Sequence, residues 1–261
     1  MQLQTTTLWE ITESAMIMFR SMGQKHWPNN PAARSAPRLR SFLRILGFTA
    51  AGLSFLATAT IFAYRFIDPP GSTLMLGRTL IGKTVTHKWV PISKISPNII
   101  KAVITSEDGR FCDHTGVDWQ EIRRAVKRAR NGQVRGASTI SMQTAKNLFL
   151  WPQRSYIRKA VEIPLTFMME LAWPKRRMLE IYLNIVEWGP GIFGVEAASR
   201  YHFKKSARSI SQIEASLLAA SLPNPIVRRA GRPGPRTRKH SNTIATRVNK
   251  APPQTACIFK K

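Results

Sequence analysis

A mainly α-helical domain of many short helices, set behind one membrane-crossing helix, is the fold class this sequence predicts. Two observations lead there. The run Ile45–Tyr64 is twenty residues without a charge, and at about 1.5 Å per residue such a helix spans a bilayer core of about 30 Å. From Ser96 onward, apolar residues recur at helical spacing in segment after segment, each with its own start and stop signals.

Residues 1–44 are read as a poorly ordered cytoplasmic segment, with Pro and Asn around HWPNNPAARSAPR and a short helix expected within 1–22. The anchor, 45–64, follows Lys25, Arg34, Arg38, Arg40 and Arg44; after Arg65 no Lys or Arg comes until Arg78. The positive-inside rule then puts the N-terminus in the cytoplasm and the bulk of the chain outside. A cleaved signal peptide is the rival reading, with Ala57-Thr58-Ala59 as its site, but the run starts far from the N-terminus and stays apolar past that point.

DPPGS, 68–72, is a break, and 73–95 is expected to be extended. Ser96 and Pro97 open a helix that carries Ile99, Ile100, Val103 and Ile104 on one face and runs out at Glu107. A second helix starts at Asp118, with Glu121 completing a capping box, and ends at Asn131-Gly132. Further helices are expected over 139–150, over 155–172, after Pro174, and from Ser211, capped with Glu214, to before Pro223. GPGIFG reads as a loop, and 226–261 as a mobile, basic, Pro-containing tail.

The chain holds 40 Lys and Arg against 14 Asp and Glu, a formal charge of +26. Such an excess points to polyanionic partners: nucleic acid, an anionic membrane or phosphate-bearing substrates. No recognised nucleic-acid motif supports the first, and the inferred topology puts the basic domain outside the cytoplasm. The two cysteines, Cys112 and Cys257, make no disulfide framework and no zinc pattern. They are read as free thiols, with a disulfide between them the alternative in an oxidising compartment.

Eleven of the fourteen acids lie between Glu107 and Glu214. Glu107 ends an apolar helix, and the negative helix end and burial against Phe111 would raise its pKa toward that of a general base. A solvated turn acid is the bland reading of the same residue. In RGASTISMQTAKNLFL, Ser138 and Thr139 stand at a helix start, where N–H groups and hydroxyls hold anions. Lys146 lies two turns along the same face. Arg154, Arg158 and Lys159 follow, and these cations can gather round a phosphate or pyrophosphate. A solvated basic face is the alternative. Glu162, four residues after Arg158, has a plain i, i+4 ion pair as its alternative.

EDGRFCDHTG, RGASTISMQTAKN, RKAVE, RMLEIYLNIVEWG and GVEAASRYHF follow in order. Together they resemble the peptidoglycan glycosyltransferase family, the polymerase module of bifunctional penicillin-binding proteins, over roughly Asp68–Pro225. Residues 226–261 leave no room for a transpeptidase domain and no S-x-x-K motif occurs, so the resemblance is to the stand-alone, monofunctional form. It implies a lysozyme-like glycosyltransferase domain over 68–225 that builds glycan strands on lipid II at the inner membrane. Glu107 is then the base that deprotonates the acceptor hydroxyl. Glu162 is the second family glutamate, and Lys146 and Arg154 contact the pyrophosphate.

Ser138, Thr139, Arg158 and Lys159, read from the residues, and Gln143, which keeps a family glutamine, are expected to line the substrate site, while Asp108, Phe111, His114 and Gly116 shape the loop of the base. Asn184 is a structural hydrogen-bonder. A divalent metal, Mg or Mn, is implied as an assisting cofactor, although the residues define no site. Expected partners are lipid II, the growing strand, membrane lipids and other cell-wall synthesis proteins, with no nucleic acid. Two departures stand out. Met142 replaces a family glutamine, which costs a polar cleft contact, and Pro164 sits inside a helix, where it is expected to kink the chain and re-aim Glu162. Rival readings are a glycan-cleaving lytic transglycosylase or muramidase, which needs no pyrophosphate-binding cations, and an inactive cell-wall scaffold, which would not keep Glu107.

Overall fold

A computed structural model describes residues 32–130, 136–153 and 155–259. The expected short helix within 1–22 and the cation Arg154 lie outside them. The chain divides after Leu56 into two units. Among the described residues the earlier unit is helix alone, the first part of α1, Ala32–Tyr64. This helix begins well before Ile45, so the expected poorly ordered segment does not reach residue 44; Leu, Arg and Ala are strong helix formers and carry the helix back. Within it, Arg40–Tyr64 is long and apolar enough to cross a membrane, and little of it is buried.

The second unit, from Ala57, is mainly helical. The expected extended stretch after the anchor is instead α2, Thr73–Leu80, capped by the Ser72 hydroxyl, which accepts from Met75 N. Only Thr86–His87, β1, is extended strand there. α3, Pro97–Glu107, has Ser96 as its N-cap and Pro97 in its first turn, and it buries Ile99, Ile100, Val103 and Ile104. α4, Trp119–Arg130, starts where Asp118 accepts from Glu121 N. Glu121 pairs with Arg124 and Arg128, so Asp118 caps the helix without the reciprocal bond expected of a box.

α5, Ile140–Phe149, and α6, Tyr156–Ala172, pack together, and α5 also lies against α7, Lys175–Ile185. α7 is the core helix: Met178, Leu179, Ile181, Tyr182, Leu183 and Ile185 are all fully buried. From Met178 to Ile185 every residue but Glu180 is buried, so the helix sits at the centre of the domain. Its first turn also secures the end of α1. Arg177 donates to the carbonyls of Tyr64 and Ile67 and pairs with Asp68, and Trp173 Nε1 donates to Ile61 O at 2.7 Å.

GPGIFG, read as a loop, is a small sheet. β2, Glu187–Gly189, runs antiparallel to β3, Ile192–Phe193, and β1 joins β3 in parallel. The turn between β2 and β3 needs Gly191. Its φ is +72°, and a Cβ there would collide with Thr84 O. α8, Val195–Phe203, and α9, Gln212–Ser221, complete the core, α9 with the expected Ser211–Glu214 capping box.

The C-terminal stretch is not a mobile tail. α10, Pro235–Lys250, buries Thr237, Ser241, Ile244 and Val248 and packs against α9 and α3. The prolines that suggested disorder have another use: Pro235 stands at the start of the helix, where its fixed φ suits the first turn. The short α11, Ala256–Phe259, buries Ile258 in the core. It carries Cys257, which is disulfide-bonded to Cys112 with a Cα separation of 5.8 Å. The reading of free thiols is therefore corrected. A reach of 145 residues separates the two in sequence, and folding α10 onto α3 brings the ends together.

Candidate active site

The site begins where α3 stops. Beyond Glu107 the backbone turns out of the helix at Asp108, whose N–H still bonds to Ile104 O. The Asp108 carboxylate is buried and accepts from Ile140 N at 3.0 Å and from His114 Nε2 at 2.9 Å. One side chain thus fixes both the following loop and the first turn of α5. Thr139 adds a second tie: its hydroxyl caps α5 at Met142 N and donates to Gly116 O. Gly116 has φ +90°, and a Cβ there would meet Thr166 Cγ2 at 2.8 Å, so the loop lies tight against α6. Phe111 is fully buried in the core with Lys175 Nζ 4.5 Å from its ring centroid. Asp108, Phe111, His114 and Gly116 therefore hold the loop from inside.

This framework carries Gln143 to Glu107. Gln143 lies one turn after Thr139, and its Nε2 donates to Glu107 Oε2 at 3.0 Å. Ser106 Oγ donates to the other oxygen at 3.2 Å. Tyr182, from the core helix, donates to Gln143 Oε1 at 3.1 Å. Burial raises the pKa of Glu107, and neighbouring Asp108 adds to the rise; Gln143, Ser106 and Lys146 pull the other way, and the net shift is upward. Solvent exclusion is the main cause. Burial of Tyr182, reinforced by Glu107 and Asp108, raises its hydroxyl pKa, so it stays a donor.

Glu162 stands on the same cleft. It is buried and paired with Arg158 at 3.2 Å and Lys159 at 2.6 Å. The i, i+4 pair with Arg158 is therefore real, and the i, i+3 pair with Lys159 comes with it. Lys159 Nζ also reaches Ser138 Oγ at 3.4 Å. Lys146 has its pKa lowered by burial and by Arg158 and Lys159, while Glu162 and Glu107 hold it up. Ser138, Gln143, Lys146, Arg158, Lys159 and Glu162 line a cavity of about 590 Å³. A second, of about 650 Å³, is lined by Glu107, Ser138 and Gln143 and, from the C-terminal stretch, by Arg228, Arg236, His240 and Arg247. Ser138 and Gln143 border both.

Two expectations change. Met142 is 2 % exposed and faces the interior, so this position offers no cleft contact to lose. α6 runs unbroken through Pro164, and Glu162, just before it, keeps both cations. Asn184 is structural as expected: its side chain bonds to both Val90 N and Val90 O. Among the described residues no group of three His, Cys, Asp or Glu side chains gathers, and Glu162 is already matched by two cations. The donor set of a resident Mg or Mn site is not met by these residues.

Sequence reasoning missed Tyr182, which lies in the helix expected after Pro174, and the basic wall from 228 to 247. The signal for the wall was present: Arg236, His240, Thr243 and Arg247 recur at helical spacing on the face adjoining Thr237, Ser241, Ile244 and Val248.

The family model described as Transglycosylase matches residues 75–249. A biosynthetic peptidoglycan transglycosylase of Rhodospirillum centenum is 49% identical over 218 residues, 81% of this chain and 91% of that protein. One from Rhizobium meliloti is 47% identical over 223 residues, 84% of this chain and 94% of that protein. One from Mannheimia succiniciproducens is 48% identical over 202 residues, 74% and 83% respectively.

Proposed function

The chain belongs to the transglycosylase family, and on that premise we propose that it is a glycan-strand polymerase that extends peptidoglycan from lipid II. It is a glycosyltransferase, and Glu107 is the base. Glu107 takes the proton from the GlcNAc 4-hydroxyl of the acceptor lipid II. That oxygen attacks C1 of the MurNAc at the pyrophosphate end of the growing strand. The C1–oxygen bond to the undecaprenyl pyrophosphate breaks, the configuration inverts and a β-1,4 link forms.

The single observation that carries this reading is the pairing of Glu107 with a cationic cavity across Gln143. A base for a sugar hydroxyl works best with a pKa lifted toward neutrality, and burial lifts that of Glu107. A pyrophosphate leaves readily once its charge is met, which removes the need for a second acid. Lys146, Arg158 and Lys159 stand against the one carboxylate of Glu162, leaving two positive charges for the two negative charges of a pyrophosphate diester. Glu162 holds the heads of Arg158 and Lys159 in place. Arg154, outside the described residues, is given the same role only by its position in the motif.

The N-terminus lies in the cytoplasm and the catalytic domain in the periplasm, with α1 as a single inner-membrane span. The cations before the apolar run support this, and so does the Cys112–Cys257 disulfide, a bond that persists in oxidising compartments.

The test is incubation of the purified protein with labelled lipid II, alongside Glu107→Gln. High-mass glycan from the wild type alone is the expected result. Cleavage of preformed glycan without polymer would replace this reading with a lytic one.

A further inference from the structure

We propose that the open pocket between the end of α8 and residues 229–232 is a docking site for an acidic segment of a partner protein. It is separate from both catalytic cavities, and the inference does not depend on the polymerase reading.

The pocket has a volume of about 410 Å³ and is lined by Tyr201, His202, Lys204, Arg229, Gly231 and Arg232. α8 stops at Lys204, whose left-handed backbone, φ +58°, turns the chain out of the helix. His202 braces the two walls. Its Nδ1 accepts from Gly231 N at 3.2 Å, and its Nε2 donates to Trp188 O at 3.0 Å. Both ring nitrogens are used and burial lowers the pKa, so His202 is a neutral brace rather than a further cation. Tyr201 stands edge-on to His202, with ring centroids 4.9 Å apart, and is itself exposed. Arg228 and Arg229 are consecutive, yet the first borders the catalytic cavity and the second this pocket. Ala230, fully buried, anchors the turn that divides them.

The charge of the pocket is one-sided. Among the described residues Lys204, Arg229 and Arg232 have no carboxylate partner, and the acids of α8 and α9 are engaged elsewhere, Glu196 with Arg200 and Glu214 with Lys205. Three such cations repel one another until an anion lies among them. Arginine forks take carboxylates two bonds at a time. The volume admits an acidic side chain together with its neighbours. Just before Arg229 stand two exposed aliphatic residues, Ile226 and Val227, on a turn closed by Val227 N to Asn224 O at 3.2 Å. Tyrosine and arginine beside exposed aliphatic side chains is the composition of a protein interface. A bilayer is a poorer match. The exposed apolar residues that follow α1 and lie on α2, Phe66, Ile67, Leu76 and Leu80, are the ones a bilayer would take, and none of them borders this pocket.

The test is fluorescence anisotropy of labelled hexaglutamate with the full chain in neutral detergent at physiological ionic strength. Wild type is compared with Arg229→Gln/Arg232→Gln and with the charge-matched Lys83→Gln/Lys94→Gln, whose lysines are exposed and lie outside the pocket. The Kd should rise about tenfold or more in the arginine variant and about twofold at most in the lysine variant. Equal Kd values in the two variants would mean attraction by net charge without a site and would overturn the proposal, as would a wild type that does not bind hexaglutamate. Melting curves establish that the variants fold. Should the arginine variant not fold, Tyr201→Ala replaces it with the same expected direction. Repeating the titration in nanodiscs of phosphatidylcholine, with and without phosphatidylglycerol, separates protein from lipid. If the anionic lipid abolishes the difference between wild type and the arginine variant, a headgroup occupies the pocket and the proposal fails. None of these readouts requires glycan synthesis, so the docking site and the polymerase reading stand or fall apart.

Discussion

Gln143 Nε2 donates to Glu107 Oε2 across 3.0 Å. An amide can be turned end for end, and the wrong end would set oxygen against oxygen. Tyr182 prevents this by donating to Oε1, since a phenol with a raised pKa has a proton to give. The core helix thus decides which end of Gln143 meets the base.

Tyr182→Phe removes that control while keeping the ring in the core. The favourable bond that lowers the pKa of Glu107 is then made only part of the time, so the pKa rises further. A base works deprotonated, so the acid limb of the pH–rate profile should move to higher pH, and Gln143→Leu should move it further. Profiles at subsaturating lipid II measure this. A limb that stays in place in both variants would show that the amide does not tune the base.

Glu107→Gln should raise thermal stability at neutral pH. The folded state holds the Glu107 proton more tightly than the unfolded chain, because burial raises its pKa. Stability from this group is present below the unfolded carboxylate pKa and is lost as pH rises through the folded value. The neutral amide escapes that loss. Melting curves for both proteins should separate at neutral pH and converge in acid, and the opposite trend would contradict the burial argument.

Asp108→Asn tests the link between the loop and α5. The carboxylate accepts from Ile140 N and His114 Nε2 together, and an amide keeps at most part of this. The expected cost is about 1–3 kcal/mol, typical of a buried polar partner left unmade. Chemical denaturation reads the stability, and polymerisation should fall with it because Gln143 is positioned from the same turn.

Cys112→Ser/Cys257→Ser should lower the unfolding free energy by roughly 4–5 kcal/mol in the chain-entropy picture of a loop this long. Dithiothreitol should lower the melting temperature of the wild type and leave that of the double variant unmoved. Equal responses would mean that the bond does not constrain the folded chain.

The helices were legible because each carries its own punctuation. Ser96 with Pro97, Thr139, Ser155 and the Ser211–Glu214 box all start helices where the sequence predicts. The surroundings of Glu107 were legible in part because Ser106, Asp108 and Gln143 lie within contiguous motifs. Strands of two or three residues, such as β1 and β3, are too short to show a period. Met142 looked like a cleft residue from its motif neighbours, and only the rotation of α5 reveals that it faces inward. Tyr182 was hidden in an apolar run, where one hydroxyl does not disturb the pattern. The disulfide joins positions 145 residues apart, a pairing that spacing does not encode. The composition of the C-terminal stretch suggested disorder because charge outweighs apolar content; its four buried positions suffice once α3 and α9 supply the other half of the interface.

The Cys112–Cys257 bond also has a mechanical side. Cys112 belongs to the loop that leaves Glu107, and Cys257 to the segment that leaves α10. Glu107 and α10 both border the larger cavity, and the loop that follows the one and the segment that follows the other are therefore joined covalently as well as by packing, through only residues 108–111 on one side and 251–256 on the other. Under reducing conditions this tie between the loop after Glu107 and the segment after α10 is removed.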